Sequence, residues 1–143
     1  PRWRSTGYPL CGEQLRIILA IKDRVEDACL SLLEASADEN DTYGNMFFNS
    51  VLINRYEDGM AQLKWHSDDE KCYGDPTDSL IASVSLGAAR WFEVRRKPSK
   101  IRCTTQALEM KRIRLQSGSL LLMGGAMQAE WQHSLPSDAD CKQ

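Results

Sequence analysis

Between Glu13 and about Ala35 the apolar residues Leu15, Ile18, Leu19, Val25, Cys29, Leu32 and Leu33 return mostly at steps of three and four. That is the period of a helix with one apolar face, so the spacing predicts a single amphipathic α-helix there. The next stretch, Ser36 to Asn45, is acidic and polar and contains Gly44, which reads as a loop. From Phe47 the period changes. Phe47 to Tyr56 is dense in aromatic and β-branched residues and is followed by Glu57-Asp58-Gly59, the pattern of a strand closed by a turn. Further short strands are predicted at Leu80–Leu86, Trp91–Arg96, Arg112–Leu115, Ser119–Met123 and Met127–Ser134, separated by Gly, Pro and Ser. One helix followed by many short strands argues for a mostly β fold, a sandwich or jelly roll with a helix packed on one face, and against a parallel βαβ sheet. The chain shows no internal repeat, low-complexity tract or linker.

Composition narrows this further. At 143 residues, 42% hydrophobic and 27% charged, the chain suits one globular domain and is unlike a disordered or fibrous one. It contains no apolar run long enough to cross a bilayer and no secretory pattern, so no membrane association is expected. The five cysteines are scattered, odd in number and without a C-x-x-C pair. They suggest neither a disulfide framework nor a structural zinc, and point to a reducing compartment, nuclear or cytoplasmic. A monomer is expected.

The net charge of −2 conceals a segregation. From Arg90 to Arg114 nine cations (Arg90, Arg95, Arg96, Lys97, Lys100, Arg102, Lys111, Arg112, Arg114) face two carboxylates, Glu93 and Glu109, a net of +7 that leaves −9 for the rest. Such a stretch suits a phosphate-facing surface with salt-sensitive binding. It equally suits a solvated hairpin whose charges keep a sheet edge from aggregating.

Imidazole chemistry is confined to His66 and His133. His66 opens His66-Ser67-Asp68, and in extended chain residues two apart point to the same side, so one metal ion can take both. His133 lies on a predicted strand where Met127, Ala129, Trp131 and His133 share a face, and an antiparallel sheet can fold it back toward His66. Two imidazoles and one carboxylate with the opposite side open form the facial triad of non-heme Fe(II) oxygenases. The H-x-D spacing by itself is common, and a satisfied core or surface histidine is the competing reading.

The flanking residues are more specific. Asn49-Ser50-Val51-Leu52-Ile53-Asn54-Arg55-Tyr56, then Trp65-His66-Ser67-Asp68-Asp69-Glu70, then Ile81 to Arg90, closely resemble the AlkB family of Fe(II)- and 2-oxoglutarate-dependent dioxygenases. Gly118 to Met123 followed by Gln128 to Pro136 resembles the family's distal-histidine segment. Phe92 to Pro98 and Trp131-Gln132-His133 look most like members acting on single-stranded DNA and RNA. The likeness runs continuously from about residue 47 to 136.

The resemblance implies a double-stranded β-helix (jelly roll), with helix and loop over residues 1–46 and the core over 47–136. It implies that His66, Asp68 and His133 bind Fe(II), and that Leu52, Asn54 and Tyr56, which share one face if their strand is regular, meet 2-oxoglutarate. Glu70 matches the residue that contacts the alkylated base. Asp69 would point the other way, with Arg90 its candidate partner near the substrate, although an unpaired exposed Asp and Arg fit equally. Trp3 or Tyr8 are candidates for an aromatic wall against a flipped base.

One departure stands out. The family places an arginine-bearing strand beyond the distal histidine, where the guanidinium grips the far carboxylate of 2-oxoglutarate by a bidentate pair. Here Ser134 to Gln143 carry Lys142 as the only cation. Either the chain is a fragment of a longer jelly roll, lacking its last strand, or cosubstrate binding is weakened or lost. The implied reaction uses Fe(II), 2-oxoglutarate and O2 to demethylate bases such as 1-methyladenine or 3-methylcytosine in nucleic acid, preferentially single-stranded. The alternatives are a protein side-chain hydroxylase or demethylase of the same fold, and a nucleic-acid-binding pseudoenzyme.

Overall fold

The structure, a computed structural model, describes residues 11–36, 48–71, 74–77, 79–98 and 109–141. The chain divides into two compact units, one ending at Arg55 and the other beginning at Tyr56.

The first unit contains helix α1, Gly12–Ser36. Its start is closed by Gln14, whose side-chain oxygen accepts the Cys11 N–H at 2.9 Å, the return arm of a capping box. Leu15, Ile18, Val25, Cys29 and Leu33 form its shielded side at the anticipated three- and four-residue steps, and Cys29 is fully buried. Lys22 pairs with Glu26 at 2.7 Å, and the Glu26 carboxylate also accepts the Phe48 N–H at 2.6 Å. Beyond Ser36 the expected loop lies outside the described residues, as do Trp3, Tyr8 and Phe47.

The strand expected at Phe47 to Tyr56 does not form over its described part. Residues 48–57 carry no ladder, and Leu52 and Ile53 are 59% and 62% exposed. A strand is defined by its partner, and among the described residues none pairs with this segment, so its β propensity has nothing to act on.

The second unit is all antiparallel sheet apart from one helical turn. Strands β1 (Leu63–His66), β3 (Arg90–Arg96), β4 (Met110–Leu115) and β6 (Trp131–Leu135) form a four-stranded sheet in the order β1-β6-β3-β4. Strands β2 (Ile81–Val84) and β5 (Leu120–Met123) form a second, two-stranded sheet. Along β3 burial alternates, with Phe92 and Val94 inward and Trp91, Glu93 and Arg95 outward. Phe92, Val94, Leu115 and Met123 make the core, flanked by Ile81, Leu121, Met127 and Trp131, so both sheets contribute to it. The chain is thus mostly β with an N-terminal helix. Among the described residues no helix is long and apolar enough to cross a membrane.

Two local expectations are corrected. Met127–Glu130 is a helical turn, α2, and the strand begins only at Trp131. The Glu130 N–H bonds the Ala126 carbonyl at 2.9 Å, after a turn in which Gly125 takes a positive φ of 57° that favours glycine. The shared face of Met127, Ala129, Trp131 and His133 therefore reduces to Trp131 and His133. Strand β1 was not anticipated, because Leu63-Lys64-Trp65-His66 is short and only weakly alternating and forms by pairing with a distant β6.

Candidate metal centre

The site begins with a lock on the chain entering β1. The Asp58 carboxylate accepts the Met60 and Ala61 N–H groups at 2.9 and 2.8 Å, folding the expected turn into an Asx-type bend. Gly59 is buried there because its carbonyl takes the Asp138 N–H at 2.7 Å, and any Cβ would run into the Asp138 carbonyl. Arg90, 8% exposed, completes the lock by donating to the carbonyls of Asp58 (3.3 Å), Ala61 (2.7 Å) and Pro136 (2.8 Å). Its guanidinium also lies 5.8 Å from the Tyr56 ring, whose hydroxyl pKa burial pushes up. The bend is thereby fixed to the end of β6.

The pairing of β1 with β6 contains the decisive irregularity. Leu63 sits opposite Leu135, but His66 sits opposite His133, so three steps on β1 span two on β6. Regular pairing from Leu63 would set Trp65 opposite His133. The extra residue instead turns His66 to the side of His133, as a β-bulge does when it re-aims a side chain. Trp65 turns outward, where the Arg95 guanidinium covers it at 4.2 Å.

His66 and His133 meet edge to face, with ring centroids 4.2 Å apart at 62°, and Phe92 stacks on His133 at 5.3 Å. Asp68 reaches both: its Oδ1 lies 3.7 Å from His66 Nε2 and its Oδ2 3.5 Å from His133 Nε2. His66, Asp68 and His133 thus offer three ligand atoms within 4.8 Å of one another. The Lys64 carbonyl, 2.7 Å from His66 Nδ1, can only accept, so Nδ1 is the donor there and Nε2 is the nitrogen turned toward the Asp68 carboxylate. Burial, and then the neighbouring His66, hold the His133 imidazole well below its usual 6.5, at about 4. Burial also raises the Asp68 carboxyl, and Glu70 and Asp69 add to the rise while His66 opposes it. Neutral imidazole nitrogens facing a carboxylate suit a divalent first-row ion. Donors around such an ion at roughly 2.1 Å stand about 3 Å apart when adjacent, so these atoms, 3.5 and 3.7 Å apart across the carboxylate and all within 4.8 Å, would draw together around it.

Leu52 and Asn54 belong to the first unit and are exposed, and without a ladder the alternation that would align them with Tyr56 does not operate. Glu70 is exposed beside the triad loop. Arg90 does not pair with Asp69: its guanidinium is engaged by carbonyls, and Asp69 is met by Lys97 at 3.2 Å. Lys97, expected from sequence only as part of the basic stretch, and Gln128, not singled out, contact the loop carrying Asp68. A buried amide in an apolar segment was the one available signal for Gln128.

The basic stretch is largely neutralised in space. Arg96 pairs with Glu130, Lys97 with Asp69, Lys111 with Glu109, Arg112 with Glu93 and Arg114 with Asp138. Arg95 bonds the neutral amide of Gln132. Lys100 and Arg102 lie outside the described residues. On the inner side of the large sheet a cavity of about 300 Å3 opens between Phe92, Val94, Ile113, Leu121, Met123 and Trp131.

Comparison with known proteins fits this geometry. A family model described as the 2OG-Fe(II) oxygenase superfamily matches residues 12–143. The chain is 40% identical over 112 residues to mouse (Mus musculus) alpha-ketoglutarate-dependent dioxygenase alkB homolog 3, covering 78% of this chain and 37% of that protein. It is 41% identical over 109 residues to DNA oxidative demethylase ALKBH2 of Bos taurus, covering 75% and 38%. To ALKBH2 of Arabidopsis thaliana it is 40% identical over 107 residues, covering 64% and 33%. The chain spans little more than a third of the length of these curated relatives.

Proposed function

The chain belongs to the 2OG-Fe(II) oxygenase superfamily as a member of the AlkB family, and from that premise we propose that it demethylates N-alkylated bases, of the 1-methyladenine and 3-methylcytosine type, in single-stranded DNA or RNA. The observation that carries this reading is the convergence of His66, Asp68 and His133 on one point. The family uses Fe(II), 2-oxoglutarate and O2. Bound together, these supply oxidation of an N-methyl group to hydroxymethyl, with release of succinate and carbon dioxide, and the hydroxymethyl base then loses formaldehyde.

The protein's own part is placement. His66 and His133 present Nε2, and Asp68 its carboxylate, from one side, leaving the opposite side for cosubstrate and base. Phe92, stacked on His133, fixes the plane of that ring from the core side. On the resemblance of residues 49–56 to the family's segment, and not on strand alternation, we assign Leu52, Asn54 and Tyr56 to 2-oxoglutarate, and Glu70 to the base, where a carboxylate suits a ring made cationic by methylation. Unpaired strands are preferred because a base in them needs no extrusion from a duplex stack. The two sheets correspond in this reading to the halves of a jelly roll.

The test is anaerobic titration of Fe(II) and 2-oxoglutarate, followed by the visible charge-transfer band that requires both at one site, and then formaldehyde release from a methylated single-stranded oligonucleotide. The band should vanish in His133→Ala, and release should exceed that from the duplex. Absence of the band in the unaltered chain sinks the oxygenase reading. A band with nucleic-acid binding but no formaldehyde favours the pseudoenzyme, and a band without oligonucleotide affinity favours a protein substrate.

A further inference from the structure

We propose that Gln128 is a positioning residue of the metal centre: its buried amide holds the main chain at Asp68 and so sets where that carboxylate meets His66 and His133. The inference rests on the reading of the triad as a metal site. Both histidines are placed by the β1–β6 ladder, but Asp68 is not, because β1 ends at His66 and residues 67–70 pair with no strand. Something other than the sheet must fix it.

Gln128 is fully buried, with 0% exposure. Its Oε1 accepts the Asp68 N–H at 2.9 Å, while its Nε2 meets, among the described residues, only the Met123 sulfur at 3.9 Å, a weak acceptor. The residues around α2 that belong to the core cluster, Met123, Met127 and Trp131, are apolar, so a methionine or leucine would pack there without the desolvation cost of an amide. The strong use of that amide is the bond to Asp68. The residues on either side of Asp68 are held from the same α2–β6 junction. Ser67 Oγ donates to the Trp131 carbonyl at 2.7 Å. Lys97 Nζ donates to the Gln128 carbonyl at 2.9 Å and meets the Asp69 carboxylate at 3.2 Å. His133 lies five residues beyond Gln128 on the strand that leaves this junction. One short piece of chain therefore delivers the distal histidine and grips the loop bearing the carboxylate, which couples the two ligands geometrically.

The test uses the full chain and Co(II) as probe, reading both affinity and the visible d–d band at saturation. In Gln128→Met, Co(II) affinity should fall by roughly 10- to 100-fold, the range for lost outer partners of metal ligands, and the band should change shape because the carboxylate is misplaced. Gln132→Met, which removes an amide from the outer face of β6, should keep both. If Gln128→Met does not fold, Ser67→Ala releases the same loop without opening the core, and must weaken Co(II) several-fold. A folded Gln128→Met, or in its place Ser67→Ala, with the affinity and band of the unaltered chain overturns the inference and leaves the metal site standing. An unaltered chain that binds no Co(II) overturns both.

Discussion

His133 should make the metal-free protein sensitive to mild acid. Its side chain is only 5% exposed, its ring is clamped between Phe92 and the edge of His66, and its Nδ1 is buried without a hydrogen-bond partner. Burial strips water from the charged ring and the neighbouring His66 disfavours it further, which is why the pKa falls from 6.5 to about 4. The unfolded chain takes up this proton near 6.5 and the folded one resists it until about 4, so stability is full above the upper value and drains away as the pH falls between them. The whole depression corresponds to about 3 kcal/mol, of which about 2 kcal/mol is lost between pH 7 and pH 5. Asp68 acts oppositely: burial raises its carboxyl, so the folded state takes that proton more readily and acidification through its folded value recovers some stability. The assay is urea unfolding in chelator at pH 7, 6 and 5, comparing the unaltered chain with His133→Leu, which cannot titrate but keeps an apolar side chain against Phe92. The unaltered chain should lose about 2 kcal/mol more over this range than the variant. Parallel losses in the two would refute the reasoning.

Two stability effects follow from the lock on the β1 entry. Arg90→Met should cost about 3 kcal/mol in urea unfolding, since it strips a buried cation from three carbonyls, and Arg90→Lys should recover only part because an ammonium lacks the fork that reaches them; a cost below about 1 kcal/mol would contradict the lock. Gly59→Ala should lower the melting temperature and cost about 2 kcal/mol, because its Cβ meets backbone of Asp138 that cannot swing aside; a neutral result would mean that the contact yields.

Much of the fold was legible because it is local. The three- and four-residue spacing gave α1 within a residue at each end, and β3 and β5 within one, since their alternation and punctuation lie inside the segment. What was not legible depends on partners. Met127–Glu130 alternates like a strand, yet Gln128 has its bond to the Asp68 loop and the turn coils. Residues 48–57 have the composition of a strand and no ladder. The triad was readable as residue types, but the reason that His66 rather than Trp65 faces His133 is a bulge, and a bulge leaves no mark in Leu63-Lys64-Trp65-His66. Arg90 reads in sequence as one of a basic run and a candidate partner of Asp69, whereas its burial follows from carbonyls 29, 32 and 46 residues away.

The same contrast governs the charge between Arg90 and Arg114. Counted along the chain it is +7, and if all of it met phosphate the logarithm of affinity for a single strand would fall with the logarithm of salt at a slope of about 5, at roughly 0.7 per phosphate. Counted in space among the described residues it is smaller, because Asp69, Glu130 and Asp138 come from outside the stretch to pair with Lys97, Arg96 and Arg114, while Glu93 and Glu109 take Arg112 and Lys111. A phosphate approaching any of these must displace a carboxylate, and the exchange leaves that carboxylate uncompensated. Arg95 is different: its partners are the Gln132 amide and the Trp65 ring, both neutral, so a phosphate there displaces no charge. The slope for single-stranded oligonucleotide should therefore be nearer 1 or 2 than 5, with Arg95→Gln lowering it and Arg112→Gln leaving it nearly unchanged. A slope close to 5, falling equally with either substitution, would mean that these ion pairs open on binding and that the linear count was the better guide.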